Sequence, residues 1–399
     1  MATISYLAPS GQSIYGGRLA PVTPPPLPPG FSAVEQLRID TVGPVSTLQQ
    51  TVILSLHGSG SDPTSQGTLY EGTWDSSLLY ETSDDMQWVL VKSNDGKGGA
   101  AFRVAPWDVD GEFTDTSARR ESSWTGYTNG EVGSKVFRPI THERLDALLD
   151  WVDENVPQRS LTKRVGVGGS MGAQGILRYG LRRPARFAAI YPDRPIWRYR
   201  RMDNGGEIFV NDWDAGTLYY TSATAPAMAG GGTAFDYYDS IAYVADIGNA
   251  VPWVGWCVGR NDGGMPFADH IAAVAALRAA GRGFCFAWND GNHSTGSIMT
   301  QITASYPYAL FELGKGYPIF SDHSLDKDPA VDLTGGINLG LSFRNVVESV
   351  GAWSCEVSHT SAACTVKVKP RSQIFLGSPA ATTVTLPAAN TWVAVSFTA

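Results

Sequence analysis

The segment Arg164-Val165-Gly166-Val167-Gly168-Gly169-Ser170-Met171-Gly172, running on through residues 173–179, decides the fold. After Arg164, Val165-Gly166-Val167 make a short apolar stretch, as a strand buried on both faces should. Next comes G-x-S-x-G, and then a stretch that reads as helix. In a strand–turn–helix context this pattern sets a serine on a sharp, strained turn. Positions two before and two after the serine must then be almost free of side chain, and Gly168 and Gly172 meet that need. The serine Oγ is left pointing away from the sheet, at a helix N-terminus whose dipole favours negative charge. Gly166, Gly168 and Gly172 also fit a loose dinucleotide fingerprint. That fingerprint wants the first βα turn of a chain and an acidic residue about 20 positions on. Here the motif sits mid-chain, behind at least two strands.

Outward from this turn, apolar runs alternate with amphipathic stretches, the signature of an α/β sheet. The clearest strands are 51–56 (TVILSL), 87–91 (QWVLV), 187–191 (FAAIY), 252–258 (PWVGWCV) and 284–288 (FCFAW). Leu145, Leu148, Leu149 and Val152 recur with helical period until Pro157. A second helix opens at Pro266, carries Phe267, Ile271, Val274 and Leu277 on one face, and ends at Gly281. The expected architecture is a mostly parallel sheet flanked by helices.

A serine nucleophile needs a base, and the chain has six histidines. His293, in Asn289-Asp290-Gly291-Asn292-His293, follows the last strand of this pattern and so shares the carboxyl edge with Ser170. His270, in the first turn of a helix, is its rival. The base in turn needs a carboxylate to fix its tautomer. Asp262, just past strand 252–258 in a glycine-bearing loop, fits, with Asp269 and Asp290 as competitors. The order Ser, acid, His is that of α/β-hydrolases. An oxyanion also needs donors. His57-Gly58-Ser59-Gly60 ends strand 51–56 and can supply a backbone N–H from Gly58 or Ser59. Met171, immediately after the nucleophile, supplies the second.

Taken together, HGSG, GGSMG, GRND and GNH in this order resemble the α/β-hydrolase superfamily over roughly residues 34–318. Within it the chain is most similar to secreted esterases of the polyhydroxybutyrate-depolymerase and feruloyl-esterase type. The prolyl-oligopeptidase catalytic domain is similar too, but Ala173 stands where its elbow commonly has a further glycine. The resemblance implies serine-based ester or amide hydrolysis through an acyl-enzyme, with no cofactor. A carboxylesterase acting on polymer-linked esters is the leading expectation. A serine peptidase and a non-catalytic carbohydrate-binding protein are the alternatives.

Residues 194–250 read as a cap-like insertion holding ten aromatic residues between 195 and 250. Trp197, Trp213 and Tyr219 from it, with Trp107 from the opposite side, are candidate substrate-binding rings. Packing of the insertion's own core is the other reading of these rings. The acidic stretch 108–112 (DVDGE) lacks calcium-loop spacing, so no metal is expected.

Residues 1–33 form a Pro-rich lead-in, and 34–321 the catalytic domain. Beyond 321, helical periodicity gives way to short alternating segments, and 322–399 reads as a small β-sandwich of six or seven strands. There, a two-residue turn at His359-Thr360 would set Cys355 opposite Cys364, at a separation that suits a disulfide. That bridge would imply an oxidising compartment. Residues 1–12 show no secretory signal, a start that also fits a chain whose leader is absent. An extracellular location is expected, with the cytoplasm as alternative.

Composition narrows the partners. The 399 residues are 43% hydrophobic, enough for a sizeable core. Only 17% are charged, against roughly 25% in ordinary soluble domains. A net charge of −8 leaves no basic footprint for nucleic acid. No apolar run reaches the roughly 18 residues of a membrane span.

Overall fold

The computed structural model describes residues 159–198 and 231–399 continuously. It also describes the helix 140–155 and the strands 2–7, 12–16, 36–41, 50–56, 88–94, 100–106, 127–129, 136–138, 209–212, 216–219 and 227–228. In chain order the early strands are β1 (Ala2–Leu7), β2 (Gln12–Gly16), β3 (Gln36–Thr41), β4 (Gln50–Leu56), β5 (Trp88–Asn94), β6 (Ala100–Pro106), β7 (Tyr127–Asn129) and β8 (Val136–Arg138). Helix α1 (Ile140–Asn155) leads to β9 (Arg159–Gly169), α2 (Met171–Arg182) and β10 (Ala189–Asp193). The insertion holds β11 (Phe209–Asp212), β12 (Gly216–Tyr219), β13 (Ala227–Met228), α3 (Ala234–Tyr238) and α4 (Ser240–Ala245). Then come β14 (Trp253–Gly259), α5 (Phe267–Ala279), β15 (Phe284–Asn289) and α6 (Met299–Ser305). The chain ends in β16 (Tyr317–Ser321), β17 (Gly335–Ile337), β18 (Leu341–Glu348), β19 (Ala352–His359), β20 (Cys364–Arg371), β21 (Thr382–Leu386) and β22 (Val393–Thr398).

The largest sheet runs β17-β15-β14-β10-β9-β4-β6-β5-β3-β1-β2. Its centre, from β6 through β4, β9, β10 and β14 to β15, is parallel throughout. β10, β14 and most of β9 are buried, which is why they read as near-continuous apolar runs. Successive side chains leave opposite faces of the sheet. Val52, Leu54, Trp256, Val258, Phe284 and Phe286 therefore enter one core, shared with α1, α2, α4 and α5. Ile53, Val165, Val167, Tyr191, Cys257 and Cys285 enter the other, shared with α6.

That second core continues into two three-stranded sheets, β16-β20-β21 and β18-β19-β22. Their inward residues, among them Phe343, Trp353, Val366 and Phe397, complete it. A β-sandwich thus covers much of the face on which helices would otherwise lie. The strands do not part company at 321. β16 precedes that point and pairs with β20, while β17 follows it and pairs with β15 of the main sheet.

The expected Cys355–Cys364 pairing is not formed. Both thiols are free and buried. Cys355 lies opposite Val395 and Cys364 opposite Leu386, so the two strands belong to different sheets of the sandwich. His359, assigned to a tight turn, is buried; its Nδ1 accepts the N–H groups of Ser361 and Ala362. Burial pushes the Cys355 thiol pKa up to about 12, which keeps it protonated and unreactive.

Candidate active site

The register of the central strands builds the site. Gly169 lies beside Asp193, Asp193 beside Cys257, and Gly259 beside Asn289. The carboxyl ends of β9, β10, β14 and β15 therefore line up along one edge. Ser170 follows β9, Asp262 lies three residues past β14, and His293 lies four past β15.

Ser170 has φ +53°, a left-handed conformation that a β-carbon disfavours. Its N–H donates to the Asp193 carbonyl at 2.9 Å, and its carbonyl accepts the Gln174 N–H at 3.1 Å. Glycine at 168 is obligatory, because a β-carbon there would strike the backbone of Gly172, the second residue of α2. The Ser170 Oγ lies 2.8 Å from His293 Nε2. On the far side of the ring, His293 Nδ1 lies 2.7 Å from Asp262 Oδ2. With the carboxylate as acceptor, Nδ1 carries the proton and Nε2 is left to accept from the serine hydroxyl.

The Asp262 carboxylate is fully buried, while the His293 side chain is 43% exposed, so the base is open to substrate and its partner is not. Asp262 Oδ1 accepts the Gly264 N–H at 3.0 Å, which orients the carboxylate. The two loops interlock: the Arg260 N–H donates to Asn289 and the Asn261 N–H to Gly291, at 2.7 and 2.9 Å. A β-carbon at Gly259 would strike Gly291 and Asn292, so this approach too depends on glycine. Met171 opens α2, and its N–H therefore has no i−4 carbonyl to bond.

The competitors fall elsewhere. Asp290 accepts from the Asn261 side chain, and Asp269 pairs with Arg198 at 3.4 Å. His270 is buried in α5, where its Nδ1 accepts the Trp256 indole N–H at 3.1 Å. Burial drives its pKa down to about 3. Trp197, expected to line a cleft, is instead a core residue. It is fully buried and packs edge-to-face on Trp256 at 5.0 Å. Tyr237 and Tyr243 carry the Arg182 guanidinium on their faces at 4.7 and 4.0 Å, so these rings seat the insertion on α2. Tyr219 closes β12, in a five-stranded sheet that joins the insertion to β7 and β8; its side chain is outside the described residues. Gly58, Ser59, Trp107, Trp213 and residues 108–112 lie outside the described residues as well. Sequence reasoning missed Asp193 and Arg194, which lie beneath the serine and histidine. Their position just after strand 187–191, at the same edge, was the available signal.

Among the described residues no group of three or more His, Cys, Asp or Glu side chains is placed to hold a metal. No described helix is long and apolar enough to cross a membrane.

No family model and no curated protein matches the sequence. Among solved structures, the chain is similar to an S-formylglutathione hydrolase from Agrobacterium tumefaciens. The identity is 14%, over 60% of this chain and 76% of that one, with a TM-score of 0.39. It is also similar to a fluorophosphonate-binding serine hydrolase of Staphylococcus aureus, at 15% identity over 73% and 90% of the two chains and a TM-score of 0.38. A ferulic acid esterase is similar at 16% identity over 62% and 79%, with a TM-score of 0.36. At such identities and scores these likenesses carry no functional argument.

Proposed function

We propose that the chain is a serine carboxylic-ester hydrolase, with Ser170 as nucleophile, His293 as general base and acid, and Asp262 as the orienting carboxylate. The observation that carries this reading is the unbroken relay from Oγ to Nε2 and from Nδ1 to a buried carboxylate, at 2.8 and 2.7 Å, on a serine held at φ +53°. Ser170 Oγ attacks the ester carbonyl carbon as its proton passes to His293 Nε2. The carbonyl oxygen becomes an oxyanion, for which the Met171 N–H is one donor and an amide at Gly58 or Ser59 the proposed second. Collapse breaks the ester C–O bond, and His293 returns the proton to the departing alcohol. Water then attacks the acyl-enzyme, His293 takes its proton, and the acid leaves with Ser170 restored.

Polymer-linked esters, such as acyl or feruloyl groups on polysaccharide or a polyester backbone, are the proposed substrates. The low content of charged residues, 17%, and the aromatic-rich insertion support that class; Trp197, a core ring, does not. An extracellular location is proposed on low charge alone, since the disulfide argument has fallen away. Hydrolysis of short p-nitrophenyl esters by the wild type, absent from Ser170→Ala, is the expected result. Peptide turnover without ester turnover would overturn it in favour of a peptidase.

A further inference from the structure

Beneath Ser170 and His293 lies a buried polar cluster that the ester chemistry does not use. β10 ends at Asp193, whose side chain is 1% exposed and pairs with Arg194 at 3.2 Å. Arg194 stands at φ +62°, a conformation unfavourable for any residue with a β-carbon. Three bonds accompany that conformation. The Arg194 N–H donates to the Cys257 carbonyl at 2.8 Å. Its Nη2 donates to Asp193 Oδ2, and its Nη1 donates to the backbone carbonyl of His293. On the other side, the Asp193 carbonyl accepts the Ser170 N–H. Two consecutive residues thus hold both the nucleophile's backbone and the base's.

The loop that carries His293 is tied at its start to Asn261, through Asp290 and Gly291, and gains a second hold here at His293 itself. Between residues 290 and 298 only Gly296 is buried, so side-chain packing does not set the loop's position. Its far end is tied to the same cluster, because the Ile298 N–H donates to Cys257 Sγ at 3.4 Å and that thiol donates to Asp193 Oδ1 at 3.1 Å. A hydrogen bond from an ionised guanidinium is among the stronger ones available to a backbone carbonyl.

We propose that Asp193 and Arg194 are positioning residues, with Arg194, steadied by the Asp193 carboxylate, fixing the histidine loop so that Nε2 meets the Ser170 Oγ. This rests on the Ser170–His293–Asp262 reading above. Displacement of a reacting group by about 1 Å costs on the order of 100-fold in rate. Arg194→Met keeps the stem and removes the donors. It is expected to lower kcat about 10- to 100-fold on p-nitrophenyl esters with KM within about threefold. Arg194→Lys, which retains charge and a donor, is expected to restore most of the loss. Proton NMR on variants shown to be folded supplies a readout that a purely stabilising role would not move: the downfield Nδ1 proton of His293 on Asp262 should broaden or vanish in Arg194→Met and return in Arg194→Lys.

A folded Arg194→Met protein with wild-type kcat and an unchanged His293 proton would overturn the proposal. Arg194→Met leaves a buried carboxylate unpaired and carries a folding risk. The charge-free pair Asp193→Asn/Arg194→Met removes that risk and is read in the same way. Failure of every variant to fold would also overturn it, since the cluster would then serve stability alone. Activity surviving in Ser170→Ala, by contrast, would bring down the triad reading and is a separate result.

Discussion

Among the described residues, two of the Asp–His combinations follow strands β14 and β15, and the proposed function assigns chemistry to only one of them. Asp262 and His293 sit on separate loops at the ends of β14 and β15, and strand register brings them to 2.7 Å. Asp269 and His270 are neighbours on α5, where successive side chains diverge by about 100° and do not face each other. His270 instead stacks on Phe286 at 5.9 Å and accepts a bond from Trp256. The difference is one of environment, not of residue type. A half-exposed ring that meets a serine hydroxyl on one side and a buried carboxylate on the other is placed for proton transfer. A ring sealed among aromatics with a pKa of about 3 stays neutral and serves packing.

Substitutions can break this contrast or sharpen it. Ser170→Ala is expected to have the largest effect, on the order of 10⁶-fold in kcat, measured by ester hydrolysis against a labelled blank. Asp262→Asn should cost about 10⁴-fold through the wrong histidine tautomer. Asp269→Asn should stay within about threefold of wild type in the same assay. Near-normal activity in the first of these two aspartate variants, with a collapse in the second, would reverse the assignment.

His270→Asn tests the other side of the contrast through stability. Because the folded state holds this ring neutral down to about pH 3, the unfolded chain alone takes up its proton below its ordinary pKa near 6.5. Its stabilising contribution is therefore complete above pH 6.5 and falls as pH drops towards 3, by about 1.4 kcal/mol per pH unit. Asparagine can still accept the Trp256 bond but cannot titrate. Urea melts at pH 7 and pH 4.5 should show a shallower acid loss in the variant, smaller by about 2–3 kcal/mol, with kcat at pH 7 within about twofold. Equal acid losses would contradict the burial argument.

Much of this site was legible because strand-end motifs are local. G-x-S-x-G at Ser170 needs only its own neighbours, and the loops bearing Asp262 and His293 follow strands that announce themselves as apolar runs. What was not legible depends on which distant segments meet. The alternation around Cys355 and Cys364 marks correctly which side of each strand is buried, but alternation does not say which strand lies alongside. Both cysteines face the core from different sheets. Trp197 reads equally well as a cleft ring or a core ring, and only the packing of Trp256 against it decides. Arg194 carries no motif at all; its role follows from a left-handed backbone beside a loop more than 90 residues away in the chain.

On the proposed function, Ser170 is the one activated hydroxyl. Reaction with a fluorophosphonate, followed by intact mass and peptide mapping, tests this most directly. One adduct per chain, located on Ser170, abolished in Ser170→Ala and strongly slowed in His293→Ala, is the result expected. An adduct on another residue, or labelling that survives in Ser170→Ala, would contradict it.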